Sequence, residues 1–97
     1  VGSSEISGIP DKFNLEQNYP NPFNPVTVIR YSLTANSPVE LKIYNLLGKE
    51  VAALVNEVKN TGTHSVEWNA AGFPSGIYFY TISANDFKDT KRMILLK

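Results

Sequence analysis

At 97 residues the chain is long enough for one small domain built around one core. Its nine basic and nine acidic side chains cancel, so no basic face for nucleic acid is indicated and no partner of that class is expected. The absence of cysteine excludes disulfides and thiolate metal sites, and no apolar run reaches membrane-spanning length, so no transmembrane segment is expected.

Residues 1–12 are small and polar, with Gly2, Gly8 and Pro10. They read as a linker or an expression remnant, which places the folded domain at 13–97. The run Asn18-Tyr19-Pro20-Asn21-Pro22-Phe23-Asn24-Pro25 follows. Proline fixes φ near −65° and removes the backbone donor, and the residue before it is driven to extended conformation. Neither a helix nor a central strand accepts such a run, whereas a polyproline II path does. On that path Asn18, Asn21 and Asn24 share one side, and the two remaining sides are apolar. The expectation is a stiff strap lying on an apolar surface, with Phe23 as a plug at one end or edge of the core.

From Val26 onward, strand-like runs alternate with turn signals. Val26 to Leu33 places Thr27, Ile29, Tyr31 and Leu33 on one face. Val39, Leu41 and Ile43 alternate with Glu40, Lys42 and Tyr44, and Gly48 supplies the left-handed residue of the next hairpin loop. Val51, Leu54, Val55 and Val58 have helical spacing, but their segment lies between two strand candidates. The expectation is a strand at about Glu50 to Val55 and an irregular loop through Gly62. Thr63 to Asn69 alternates again, with His64, Val66 and Trp68 on one face, and Trp68 is the expected large core residue. Ile77 to Ala84 is apolar on both faces. That predicts a central strand covered on both sides, or covered on one and flanked by the strap. Asn85-Asp86 marks a tight turn before the last strand, Phe87 to Leu96.

About seven short strands with turn signals between them predict an all-β, immunoglobulin-like antiparallel sandwich without a disulfide. The residues for catalysis do not converge. The sole histidine, His64, adjoins Ser65, and on a strand the two point to opposite faces. It reads as a core or edge histidine holding a hydrogen bond. The acids show no calcium-cage spacing, and the glycines match no phosphate-binding fingerprint. No enzyme activity, cofactor or metal is expected. Tyr19, Tyr44, Tyr78, Phe79 and Tyr80 would stack on sugars if exposed, so a carbohydrate-binding or adhesion module is one reading of the chain.

The order of motifs carries a family resemblance. Leu15 to Pro25 is followed by Thr27 to Leu33. Leu41-Lys42-Ile43-Tyr44-Asn45-Leu46-Leu47-Gly48-Lys49-Glu50-Val51 comes next, then Gly62-Thr63-His64 and Trp68-Asn69. Ser75-Gly76-Ile77-Tyr78-Phe79-Tyr80 leads to Lys91-Arg92-Met93-Ile94-Leu95-Leu96-Lys97. This series closely resembles the C-terminal sorting domain, type A, of the bacterial type IX (Por) secretion system. It is also similar to the Ig-like domain of flagellar hook-capping proteins, so a hook-cap-like assembly domain is a further alternative. The resemblance implies a non-catalytic label at the end of a secreted passenger in the same chain. Its partners would be the type IX translocon and the surface-processing components. Its route would run through the periplasm to the cell surface or the extracellular space. Candidate recognition residues are Gly48, Gly76, Tyr78, Lys91, Met93, Ile94, Leu95, Leu96 and Lys97. The terminal strand is expected at or near a sheet edge, where an unpaired side would accept a partner strand. The strap, Asn18 to Pro25, is expected to seal a sandwich edge.

Overall fold

A computed structural model of the chain describes residues 10–97. Residues 1–9, the greater part of the expected linker, lie outside the described residues. The strands are β1 (Asn14–Leu15), β2 (Val26–Leu33), β3 (Ser37–Asn45), β4 (Glu50–Lys59), β5 (Gly62–Asn69), β6 (Gly76–Ala84) and β7 (Phe87–Leu95). They form a three-stranded sheet in the order β1-β2-β5 and a four-stranded sheet in the order β4-β3-β6-β7. Every neighbouring pair is antiparallel. The two sheets make an immunoglobulin-like β-sandwich.

Strict alternation builds the core. Thr27, Ile29, Tyr31 and Leu33 of β2 turn inward and meet Val39, Leu41 and Ile43 of β3 and Tyr78, Tyr80 and Ile82 of β6. Trp68, 4% exposed, fills one end of this core, with the rings of Phe73 and Tyr78 at 5.4 and 5.5 Å. His64 stacks on Tyr31 at 5.4 Å, and its Nε2 lies 2.7 Å from the Asn60 carbonyl oxygen, as expected of an edge histidine.

Two expectations are corrected. β4 continues to Lys59 instead of breaking at Val55. The helical spacing within it is a strand pattern interrupted twice. Leu41 lies opposite Val55 and Lys42 opposite Ala53, so Leu54 is an extra residue. Ile43 lies opposite Ala52 and Tyr44 opposite Glu50, so Val51 is another. Each bulge resets the two-residue period and lets Val51, Ala52, Leu54 and Val55 all reach the core. The second correction concerns β6. It is central, between β3 and β7, but only its Tyr78-Tyr80-Ile82 face is covered. Ile77 and Phe79 are half-buried on the outer face, where neither the other sheet nor the strap lies.

Candidate recognition surface

The strap does not follow a polyproline II path. Asn18 is buried while Asn21 and Asn24 are exposed, so burial does not repeat every three residues. The peptide bonds preceding Pro20, Pro22 and Pro25 are cis. The strap instead turns between two bridges of opposite sense. Tyr19 pairs antiparallel with Val28 of β2 through N–H···O bonds of 3.0 and 2.9 Å. Phe23 pairs parallel with Leu95 of β7: its N–H donates to the Ile94 carbonyl at 2.9 Å, and its carbonyl accepts from Leu96 N–H at 3.0 Å. One end of the strap thus belongs to the edge of the first sheet and the other to the edge of the second. The Phe23 side chain, 1% exposed, closes the space between them, with its ring 5.8 Å from Trp68.

Polar contacts fasten this closure. Asn18 Nδ2 donates to Thr27 Oγ1 at 2.9 Å and to the Pro20 carbonyl at 3.1 Å. Thr27 Oγ1 donates in turn to the Pro20 carbonyl at 2.9 Å. The Tyr80 hydroxyl crosses from the second sheet, accepting from Asn18 N–H and donating to the Glu16 carbonyl, both at 2.7 Å. Burial in this position pushes the Tyr80 hydroxyl up to about 12.

The same contacts change the expectation for the terminal strand. Among the described strands β7 has β6 as its one strand neighbour, so it is an edge strand. Its outward backbone groups from Arg92 to Leu96 are nevertheless occupied. Gln17 Nε2 donates to the Arg92 carbonyl at 2.7 Å, and Asn21 Oδ1 accepts from Ile94 N–H at 3.0 Å. With the two Phe23 bonds, the C-terminal half of this edge is already paired, and strand addition there requires the strap to leave. Gln17 carries no motif that would mark this role in the sequence; the pairing exists only once β1 lies beside β7.

The candidate residues separate by burial. Tyr78, Met93 and Leu95 have side chains in the core, at 4%, 0% and 0% exposure, so their side chains are not presented to a partner. Gly48, Lys91, Ile94, Leu96 and Lys97 are exposed or half-exposed. β3 ends, β6 begins and β7 ends at one end of the sheet, which brings Gly48, Gly76, Ile94, Leu96 and Lys97 towards a common tip. Lys91 lies farther along β7, 3.9 Å from Asp89. Lys97 N–H donates to Ser75 Oγ at 2.9 Å, and its Nζ to the Ala71 carbonyl, which ties the last residue to the loop before β6.

The β3–β4 turn stands at this tip. Asn45 N–H donates to the Lys49 carbonyl, and Gly48 N–H to the Asn45 carbonyl, each at 2.9 Å. Asn45 Oδ1 accepts from Leu47 and Lys49 N–H at 3.0 Å. Gly48 has φ 85°, which glycine adopts without steric cost. This bonded turn holds Leu46 and Leu47 out at 65% and 92% exposure. Beside them runs a groove lined by Pro74, Ser75, Gly76 and Ile77. Two leucines inside a turn segment are the signal by which the sequence could have marked this site.

No group of three or more His, Asp or Glu side chains able to hold a metal occurs among the described residues. No helix long and apolar enough to cross a membrane occurs among them either. Of the five aromatics that could stack on sugars, Tyr78 and Tyr80 are buried in the core, Tyr44 and Phe79 are half-buried on the outer face of the four-stranded sheet, and Tyr19 stands out at 79%.

A family model described as a secretion system C-terminal sorting domain matches residues 17–96. No curated protein matches the chain. Among solved structures, the chain is similar in fold to part of PorZ, described as an essential bacterial surface component of the type-IX secretion system of Porphyromonas gingivalis. The TM-score is 0.57 at 21% identity, over 99% of this chain and 12% of that one. The chain therefore spans about an eighth of the length of that protein.

Proposed function

Because the chain belongs to the family of secretion system C-terminal sorting domains, we propose that it is a folded, non-catalytic address that directs an attached passenger across the outer membrane by the type IX system. The observation that carries this reading is the family match over residues 17–96, which takes in the strap, the Gly48 turn, the Gly76 strand and the terminal strand together. On this reading the domain occupies 13–97, and the passenger precedes it in the same chain. The translocon meets the domain in the periplasm, and the passenger ends at the cell surface or in the medium. Recognition is of a shape, presented by a sandwich whose strap closes one side. Of the candidate residues, Gly48, Ile94, Leu96 and Lys97 do the contacting. Gly76, Tyr78, Met93 and Leu95 hold the strands that present them. Burial takes Tyr78 and Tyr80 out of the row of rings that the carbohydrate reading needs.

The test is a secretion assay. Residues 1–97 are fused behind a signal peptide and a fluorescent passenger in a type IX-competent bacterium and in a matched strain lacking the translocon. Passenger outside the cell only in the competent strain is the expected result. Passenger held in the periplasm of both strains, with the domain folded, refutes the reading.

A further inference from the structure

The outer face of the four-stranded sheet is divided along the strands. Towards the tip it is apolar: Tyr44 lies opposite Phe79, and Ile77 opposite Ile94. Leu96 continues the row at 54% exposure, and Leu47 extends it into the adjacent turn at 92%. Towards the other end the same face carries Glu40, Ser83, Lys88 and Thr90. Half-buried Ile77, Phe79, Tyr44 and Ile94 are not among the hydrophobic side chains that form the core or pack against it. A contiguous apolar patch of this kind on a small domain marks an interaction site.

We propose that this apolar half-face, together with the Leu46-Leu47 turn, docks onto a protein surface that is itself apolar and bordered by carboxylates. The inference rests on the sorting reading and deepens it: the partner is a component of the secretion machinery. Position supports a docking role. Phe13, where the chain reaches the sandwich, stacks at 5.6 Å on Phe87 at the start of β7, so the upstream chain joins at the end opposite the tip. The tip is the end that a bulky passenger leaves free.

Charge supports the stated border. Arg92 lies opposite Phe79, Lys49 follows the exposed leucines, and Lys97 lies two residues beyond the end of β7. None of the three joins an ion pair among the described residues, whereas Glu50, the carboxylate on this half, is held by Lys42 at 3.5 Å. The uncompensated border is cationic. A second copy set face to face would oppose these cations to one another, which is unfavourable once they are desolvated. A lipid surface would engage the protruding Leu46, Leu47 and Leu96 and leave the flat Tyr44-Phe79 pair uncovered. A protein surface can cover turn and face together.

The experiment uses the passenger fusion in the competent and translocon-deficient strains, with secreted passenger as readout. Leu47→Glu and Arg92→Glu are expected to lower secretion by about tenfold or more, as loss of a central contact does. Lys88→Glu, the same charge change on the polar half, leaves secretion unchanged. All three keep the urea midpoint of the parent domain. A photoreactive benzophenone side chain at position 47 or 79 gives a protein adduct that disappears in the deficient strain, and one at position 88 gives none. Wild-type secretion that depends on the translocon, with Leu47→Glu and Arg92→Glu secreted normally, overturns the docking surface and leaves the sorting reading standing. Adducts with lipid, or with a second copy, overturn it as well. Wild-type passenger that does not need the translocon overturns both.

Discussion

Replacing Tyr80 by Phe removes one oxygen from the middle of the sandwich and tests how the strap is held. That oxygen accepts from Asn18 N–H and donates to the Glu16 carbonyl, both at 2.7 Å. Asn18 is 2% exposed, so its N–H finds no water in the variant, whereas Glu16 is exposed and its carbonyl can be solvated. An unsatisfied buried donor costs about 1–3 kcal/mol, and a lost but resolvated bond about 0.5 kcal/mol, so the expected loss at neutral pH is about 2 kcal/mol. For a domain of this size that lowers Tm by about 8–16 °C.

The pH dependence gives the sharper result. In the folded protein the Tyr80 hydroxyl keeps its proton to about 12, and in the unfolded chain it ionises near its ordinary value of 10.0. Between these two values the unfolded state binds fewer protons, so wild-type stability falls with rising pH, by at most about 1.4 kcal/mol per pH unit from this one group. Tyr31 and Tyr78, also raised by burial, and the raised amines of Lys42 and Lys59 add slopes of the same sign. The difference between wild type and Tyr80→Phe isolates the Tyr80 contribution. Urea unfolding followed by the fluorescence of Trp68, the chain's single tryptophan, measures it from pH 7 to about 11.5. The stability advantage of the wild type should be constant to about pH 9.5 and shrink above it. An advantage that stays constant through pH 11.5 would show that the hydroxyl is not held in the way described.

Phe23→Ala empties the plug between the two sheet edges and should cost about 3–5 kcal/mol, a large part of the about 5–15 kcal/mol that holds a small domain, read as a drop in urea midpoint. The same variant should speed hydrogen exchange at Ile94 and Leu96, whose N–H groups bond to the strap. Gly48→Ala places a side chain at φ 85° with nothing within 4 Å of the new carbon, so its cost is backbone strain alone, about 1–2 kcal/mol; Gly48→Asn should cost less, because asparagine tolerates this region. Glu57→Ala should leave the urea midpoint where it is, because the 2.8 Å pair with Lys59 stands in solvent and competes with water and salt.

Features set by local chemistry were legible before any packing was known. Alternation at Val39-Leu41-Ile43 and at Thr27-Ile29-Tyr31-Leu33 assigned inward faces, because a strand's side chains must alternate whatever it pairs with. Gly48 and Asn85 announced their turns, because few residues sit comfortably at φ 85° and 54°. Other features depend on which segments meet in space. β4 showed helical spacing and was expected to stop near Val55, because its two bulges depend on how it fits against β3, and the partner strand is not written in β4's own residues. The outer face of β6 looked covered because its residues are apolar. Only the packed sandwich shows that the strap goes to the edge of β7 instead, leaving Ile77 and Phe79 outside the core among the described residues. The open or closed state of the terminal edge was decided in the same way. It depends on whether Gln17, Asn21 and Phe23 arrive beside residues about 70 positions later in the chain, and no local pattern of backbone donors carries that information.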